Sequence, residues 1–108
     1  MEFIKGMDIS MLPELEDAGV TYYDNGNPEE LLSVLQKNGV NAIRLRIWND
    51  PYDVNHCPYG GGTNDIQAVL NIAQRIRDKG MYFLLDFHYS DFWTDPKKQI
   101  KPKMWRDL

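Results

Sequence analysis

Apolar residues recur along the chain first at helical spacing and then at strand spacing, and this order occurs twice. The first helical stripe lies at residues 31–35 and ends at Gly39, and a β-rich run follows at residues 40–47. Residues 27–30 (Asn-Pro-Glu-Glu) predict its start, with Asn27 as N-cap, proline at the first helical position and acidic groups at the positive end of the helix dipole. Gly39 predicts its end, because glycine readily takes the left-handed conformation that closes helices.

The second repeat has a predicted helix start at residues 63–65, a closing glycine at Gly80 and a strand at residues 81–88. Its predicted core stripe consists of Ile66, Val69, Leu70, Ala73 and Ile76. Helices that alternate with strands predict an α/β fold with a parallel sheet and right-handed crossovers.

Shorter elements are predicted before the two repeats. Residues 3–8 predict a strand, residues 11–19 a helical turn, and residues 21–24 a brief extended piece that ends at the turn signal Asn25-Gly26. A further helix is expected after Trp105. Since three parallel strands would leave two open edges, we expect the sequence to be part of a longer fold and prone to self-association through those edges.

The segments after the two longer strands, residues 49–62 and 91–102, are long and polar. Such loops at the C-terminal ends of parallel strands are typical of barrels and open α/β sheets that hold their sites there. The glycine run 60–62 is interpreted as a flexible loop rather than an anion cradle. No glycine-rich phosphate motif follows a strand, which argues against nucleotide binding.

Alternation along residues 43–48 separates an aliphatic face from a polar one. Ile43, Leu45 and Ile47 share the first face, and Arg44, Arg46 and Trp48 share the second. Charges inside a fold need partners of opposite sign. The next strand offers Asp86 and His88 on its polar face and the first strand offers Asp8, so we expect an Arg–Asp network across neighbouring strands.

Arg46 and His88 lie nearest the C-terminal strand ends, where barrel enzymes bind substrate, and are therefore candidate ligand-binding residues. Arg44 and Asp86 are expected to balance charge. Asp86 and His88 are too weak a pair to predict a metal, and His56 stands in a loop without an evident partner.

Aromatic residues cluster after the same strand ends. Trp48 and Trp93 are candidate sugar-contacting rings, because flat aromatic faces bind the apolar faces of sugars. Tyr52 is expected to pack beneath the loops, and Trp105 against the following helix.

Composition narrows the possible partners. The net charge of −4 comes without a basic stripe, so nucleic acid is not expected, and the longest apolar stretch, Met81–Leu85, is too short to cross a bilayer. The single cysteine, Cys57, predicts neither a disulfide within the chain nor a zinc site. No secretory signal is visible, and localisation stays open.

Three strings of this sequence resemble family 53 glycoside hydrolases, the arabinogalactan endo-β-1,4-galactanases. They are Gly6-Met7-Asp8-Ile9-Ser10, residues 41–51 (NAIRLRIWNDP) and residues 84–96 (LLDFHYSDFWTDP). The resemblance implies that residues 1–108 form the N-terminal three βα units of one (β/α)₈ TIM barrel, with no second domain. The family is usually secreted and cleaves β-1,4-galactan, a pectin side chain, with retention of configuration.

The resemblance also implies roles for individual residues. Arg46 and His88 correspond to the arginine and histidine that line the −1 sugar site, Trp93 corresponds to a stacking residue, and Asp8 lies at the matching first-strand end. The catalytic carboxyls come from the ends of strands four and seven in this clan, so none is expected in this chain. Asp86, Asp91 and Asp95 do not occupy those motif positions.

Three hypotheses follow. The parent protein is an endo-acting galactanase of which this chain alone is inactive; or the chain is a non-catalytic carbohydrate-binding fragment; or it is a purely structural barrel fragment. No cofactor is expected, and the family's calcium site, where present, belongs to a later loop.

Overall fold

The computed structural model describes residues 2–108, which form a three-stranded parallel sheet with helices against one face. In chain order the elements are β1 (Gly6–Asp8), α1 (Leu12–Asp17), β2 (Tyr22–Asp24), β3 (Asn27–Glu29), α2 (Leu31–Lys37), β4 (Ala42–Ile47), α3 (Ile66–Asp78), β5 (Tyr82–Phe87) and a 3-10 turn at Lys103–Trp105. The sheet order is β1-β4-β5, and both pairings are parallel. The predicted strand–helix alternation is confirmed.

The start of α2 differs from the sequence prediction. Asn27 and Pro28 are not its N-cap and first residue; they belong to β3, which pairs antiparallel with β2. The cause is the Asn25-Gly26 turn, in which both residues have positive φ (51° and 81°), as a two-residue hairpin loop requires. The hairpin takes residues 27–29 into a strand, and α2 begins after Glu30.

The predicted helix ends are confirmed at both glycines. Gly39 has φ +94° and Gly80 has φ +68°, and each follows the last turn of a helix. In both cases the next amide bonds back into that helix, Val40 to Leu35 and Met81 to Ile76. These bonds satisfy carbonyls that the helix end would otherwise leave without partners.

One core cluster lies between the helices and the aliphatic face of β4. Ile43, Leu45 and Ile47 are buried there, as predicted. The helix α3 contributes Val69, Ile72 and Ile76, not the full predicted stripe: Ile66 is 60% exposed and Leu70 is 47% exposed. Because α3 contacts β4 and β5 with one narrow face, residues on its flank remain at the surface of the described chain.

The segments after β4 and β5 meet at the C-terminal end of the sheet. The amide of Asn49 donates to the carbonyl of Ser90 (2.9 Å), which joins the two segments at their starts. No helix within residues 2–108 combines the length and apolar character that a membrane crossing needs.

Candidate functional site

The face of the sheet opposite the core carries a connected set of charged side chains. Arg44 and Arg46 project from β4, and the strand register places Asp8 beside Arg44 and Asp86 beside Arg46. This arrangement follows from the alternation of β4, whose other side chains are committed to the core. The predicted Arg–Asp network is therefore present.

Asp8 lies near both arginines, and Asp86 pairs with Arg44. Arg46 Nη1 lies 3.1 Å from Asp8 Oδ2, Arg44 Nη1 lies 3.6 Å from the same oxygen, and Arg44 Nη2 donates to Asp86. Burial alone would raise the pKa of Asp86, but hydrogen bonds from Arg44 and His88 outweigh it and hold that pKa below its ordinary value. Asp86 is therefore a carboxylate at neutral pH and cannot donate a proton there.

Two buried polar residues that sequence reasoning missed fix the backbone of Arg46. Ser10 Oγ accepts from the Arg46 amide (2.9 Å) and itself donates to Asp8, while Asn64 Nδ2 donates to the Arg46 carbonyl (3.0 Å). Both residues are 1% exposed. The signal for Ser10 was its place two residues after Asp8, whose carboxylate can accept from a backbone amide at that spacing; Asn64, 18 positions from Arg46 in the chain, gave none.

Trp93 covers the guanidinium of Arg46. The Arg46 Cζ atom lies 3.7 Å from the Trp93 ring centroid, a cation–π distance. The ring of His88 meets Trp93 edge to face at 6.2 Å, and the ring of Trp48 lies at 5.8 Å. Arg46 and His88, which sequence analysis placed together, thus flank one aromatic ring.

The imidazole of His88 has both nitrogens engaged by the protein. Its Nε2 lies 3.0 Å from Asp86 Oδ2, and its Nδ1 accepts from Trp48 Nε1 (3.3 Å) and from the Thr94 amide (3.2 Å). The side chain is only 9% exposed. Its position is set by protein partners on both sides of the ring.

Trp48 is the sequence-predicted site residue that the structure places away from the surface. It is 2% exposed and lies beneath Phe92, whose ring centroid is 5.7 Å away. Little of its ring is open to a ligand in this structure. In this structure the Trp48 indole N–H supports His88 instead.

The glycine run is a close-packed element, and its interpretation as a flexible loop was wrong. All three glycines have positive φ, and Gly62 donates its amide to Glu14 Oε2 (2.9 Å). A Cβ atom on Gly61 would stand 2.2 Å from Trp93 Nε1, and one on Gly62 would stand 2.0 Å from the Ser10 carbonyl oxygen. The run therefore allows the loop backbone to lie directly against both Trp93 and the end of β1.

Asp91 ties the two long segments together. It accepts from the amides of Asp50 (3.0 Å) and Lys103 (2.9 Å), and Lys103 Nζ bridges it to Asp50. Burial would lower the pKa of Lys103, but its bonds to Asp50 and Asp91 raise that pKa above its ordinary value, so the bridging amine stays charged.

The model of glycosyl hydrolase family 53 matches residues 4–108. The chain belongs to glycosyl hydrolase family 53. It is 51% identical over 108 residues to the endo-β-1,4-galactanase of Bacillus subtilis, 43% identical over 102 residues to a probable arabinogalactan endo-β-1,4-galactanase A of Aspergillus terreus, and 36% identical over 106 residues to the arabinogalactan endo-β-1,4-galactanase of Cellvibrio japonicus.

These alignments cover 99%, 94% and 98% of this chain but 25%, 27% and 26% of the relatives, so the chain spans about a quarter of their length. Among solved structures, the Ignisphaera aggregans GH53 catalytic domain superposes with a TM-score of 0.95 and 51% identity, covering 98% of this chain and 30% of that one. The predicted fold class, the N-terminal part of a TIM barrel, is confirmed.

The loop residues Tyr52, His56 and Cys57 do not belong to the charged network on the sheet. Tyr52 packs in its loop as predicted, stacked on His56 at 4.4 Å, and thereby gives that histidine an aromatic partner. Cys57 is exposed and forms no disulfide within the described residues. Within the described part of the chain, His, Cys, Asp and Glu side chains form no group of three that could hold a metal ion.

Proposed function

We propose that the complete protein carrying this family 53 chain is an endo-β-1,4-galactanase that acts with retention of configuration. The galactanase names of its relatives support the reaction class and the polymer. The observation that carries the proposal for this chain is the Arg46–Trp93 pair at the C-terminal strand ends, where TIM barrels hold their active sites.

The pair suits a neutral sugar ring. Arg46 is 19% exposed, and Asp8 neutralises it, so its remaining N–H groups can donate to hydroxyl oxygens without attracting an anion strongly. Trp93 is half-buried and rigidly held, and an aromatic plane of this kind packs on sugar C–H groups with little loss of conformational entropy.

We assign different roles to the five candidate residues. Arg46 and Trp93 face the sugar, Arg46 through hydrogen bonds and Trp93 through its indole. Asp8 orients Arg46, because its Oδ2 is buried beside that guanidinium and its Oδ1 accepts from Ser10. His88 and Trp48 stand behind Trp93, since their side chains are 9% and 2% exposed and their polar atoms already have protein partners.

The acid/base and the nucleophile are proposed to come from residues outside this chain. Arg44 and His88 hold Asp86 ionised, which does not suit a proton donor, and Asp8 is ion-paired to Arg44 and Arg46. Retention requires two carboxyl groups roughly 5–5.5 Å apart. In this proposal residues 1–108 bind and orient the sugar, and the 108-residue chain alone does not hydrolyse galactan.

The test is hydrolysis of β-1,4-galactan by the complete gene product, with β-1,4-xylan and β-1,4-glucan as control polymers. We expect short galacto-oligosaccharides from galactan only, and proton NMR should show the β-anomer appearing first. Release of oligosaccharides from xylan or glucan but not galactan would overturn the substrate, and first appearance of the α-anomer would overturn retention.

The matched variants are Arg46→Met and Arg77→Met. Arg46→Met removes the proposed sugar contact, and we expect kcat/KM on galactan to fall about 10- to 150-fold, as expected when a charged hydrogen-bond donor to substrate is lost. Arg77 is an exposed arginine on α3, and its variant should behave as wild type. Equal activity of the two variants would remove Arg46 from the site.

A further inference from the structure

We propose that His88 is a positioning residue that works as an imidazole with its single proton on Nε2, holding Trp93 over Arg46 rather than bonding to the sugar. The inference rests on the proposed function for its activity readout. The evidence is the set of hydrogen bonds that the His88 imidazole makes, together with the residues that these bonds connect.

The partners of the ring define the tautomer. Trp48 Nε1 and the Thr94 amide are obligatory donors, and both point to Nδ1, at 3.3 and 3.2 Å. Nδ1 must therefore present its lone pair, which the two donors share. The opposite nitrogen, Nε2, lies 3.0 Å from a carboxylate oxygen of Asp86, which is an acceptor only, so the proton belongs on Nε2.

Asp86 is itself oriented by Arg44, which fixes the direction in which the imidazole is anchored. From that anchor, Nδ1 holds the amide of Thr94, the residue that follows Trp93 in the chain. The hydrogen bond from Thr94 thus fixes the peptide next to the Trp93 indole. The hydrogen bond from Trp48 fixes the Trp48 ring behind that indole.

Six side chains of the site form a closed ring of contacts. Each member touches the next, and the last touches the first, in the order Asp8, Arg44, Asp86, His88, Trp93, Arg46. In such a ring the sugar-facing pair Arg46–Trp93 is fixed from both sides. His88 accepts a hydrogen bond from the loop backbone at Thr94, so its loss should release Trp93 while leaving both arginines paired.

Two substitutions separate positioning from sugar contact. In His88→Asn, the side-chain oxygen lies where Nδ1 was and can still accept from Trp48 and Thr94. In His88→Gln, the amide reaches the Nε2 position and can still donate to Asp86, but no acceptor remains at Nδ1. The control is His56→Asn, because His56 has φ +62°, a conformation that asparagine tolerates.

In the complete gene product, we expect His88→Asn to retain kcat/KM on galactan within about 3-fold and His88→Gln to lose about 10- to 100-fold, the effect of two lost hydrogen bonds. The loss should appear mainly in KM, and His56→Asn should match wild type. The reverse order, with Gln active and Asn impaired, would show that the acceptor at Nδ1 does not hold Trp93 in place and would overturn the proposal.

A second measurement does not depend on activity. In wild-type protein labelled with ¹⁵N-histidine, the His88 spectrum should show a protonated Nε2 and a non-protonated Nδ1, assigned by its disappearance in the variants. A proton on Nδ1 would overturn the proposal even if galactan is cleaved. If galactan is not cleaved but this tautomer is found, the proposed function falls while the positioning geometry stands.

Discussion

Replacement of Gly61 by alanine should displace Trp93 and weaken the proposed sugar site without breaking the fold. The added Cβ would stand 2.2 Å from Trp93 Nε1, 3.0 Å from its Cδ1 and 3.1 Å from Phe92 Cε2. Carbon and nitrogen atoms do not approach to 2.2 Å without a bond, so the indole must move. Trp48 and His88 lie against the ring, and a shift of the indole should disturb its contact with Arg46.

The cost has two parts. Alanine at a positive φ costs about 1–3 kcal/mol wherever it occurs. Loss of the Arg46–Trp93 contact costs about 0.5–2 kcal/mol more, and because the contact lies in the proposed site, this second part should also appear as a 2- to 30-fold fall in kcat/KM, on the order that the cation–π range gives.

Gly60→Ala is the matched control. Gly60 has φ +90° against +68° for Gly61, so both variants carry the backbone cost, but the nearest atom to a Cβ on Gly60 is a Glu14 carboxylate oxygen at 3.4 Å. We expect both variants to lower the melting temperature of the complete gene product and only Gly61→Ala to impair galactan hydrolysis. Equal activity of the two, or a crystal structure with Trp93 unmoved in Gly61→Ala, would show that Gly61 is not needed to seat the indole.

Three further changes test the fold and its electrostatics. Ile43→Ala, at a site with 0% exposure, should lower the free energy of unfolding by about 2–5 kcal/mol in urea titrations, and a loss below about 1 kcal/mol would place Ile43 outside the core. Asp86 has a lowered pKa, so its ion pair stabilises the fold above the ordinary value of 3.8, and that contribution is lost as the pH falls through the lower folded-state pKa; Asp86→Asn should flatten this part of the pH–stability curve, and an unchanged curve would contradict the assignment. Arg75→Met, which removes the bonds from α3 to Glu16 and Glu30, should cost about 1 kcal/mol at low salt and less in 1 M NaCl, whereas a loss insensitive to salt would point to packing.

The periodicity of apolar residues and the glycines at helix ends were enough to predict the order of helices and strands. The alternation in β4 separated Ile43 and Leu45 from Arg44 and Arg46, and the glycines at helix ends marked both helix-to-strand transitions, because these features depend on local geometry alone. The start of α2 was mispredicted since two local signals competed: Asn27-Pro28 favours a helix start, but the preceding Asn-Gly turn closes a hairpin that includes the same residues.

The site was predicted less completely than the sheet. Strand order and register put Asp8, Arg46 and Asp86 on one face, so their network could be inferred from the pattern. The supports from Asn64 and Gly61 could not, since they arise where a loop folds back on the strand ends, and no periodicity encodes such a return. The burial of Trp48 also depends on a loop contact, with Phe92.

The measurement that tests the account most directly is a crystal structure of the complete gene product with a bound β-1,4-galacto-oligosaccharide. We predict a galactose ring in contact with the Trp93 indole and hydrogen-bonded to the Arg46 guanidinium, with His88 still bonded to Asp86 and Thr94. An oligosaccharide bound elsewhere in the barrel, with Arg46 and Trp93 touching no sugar atom, would contradict it.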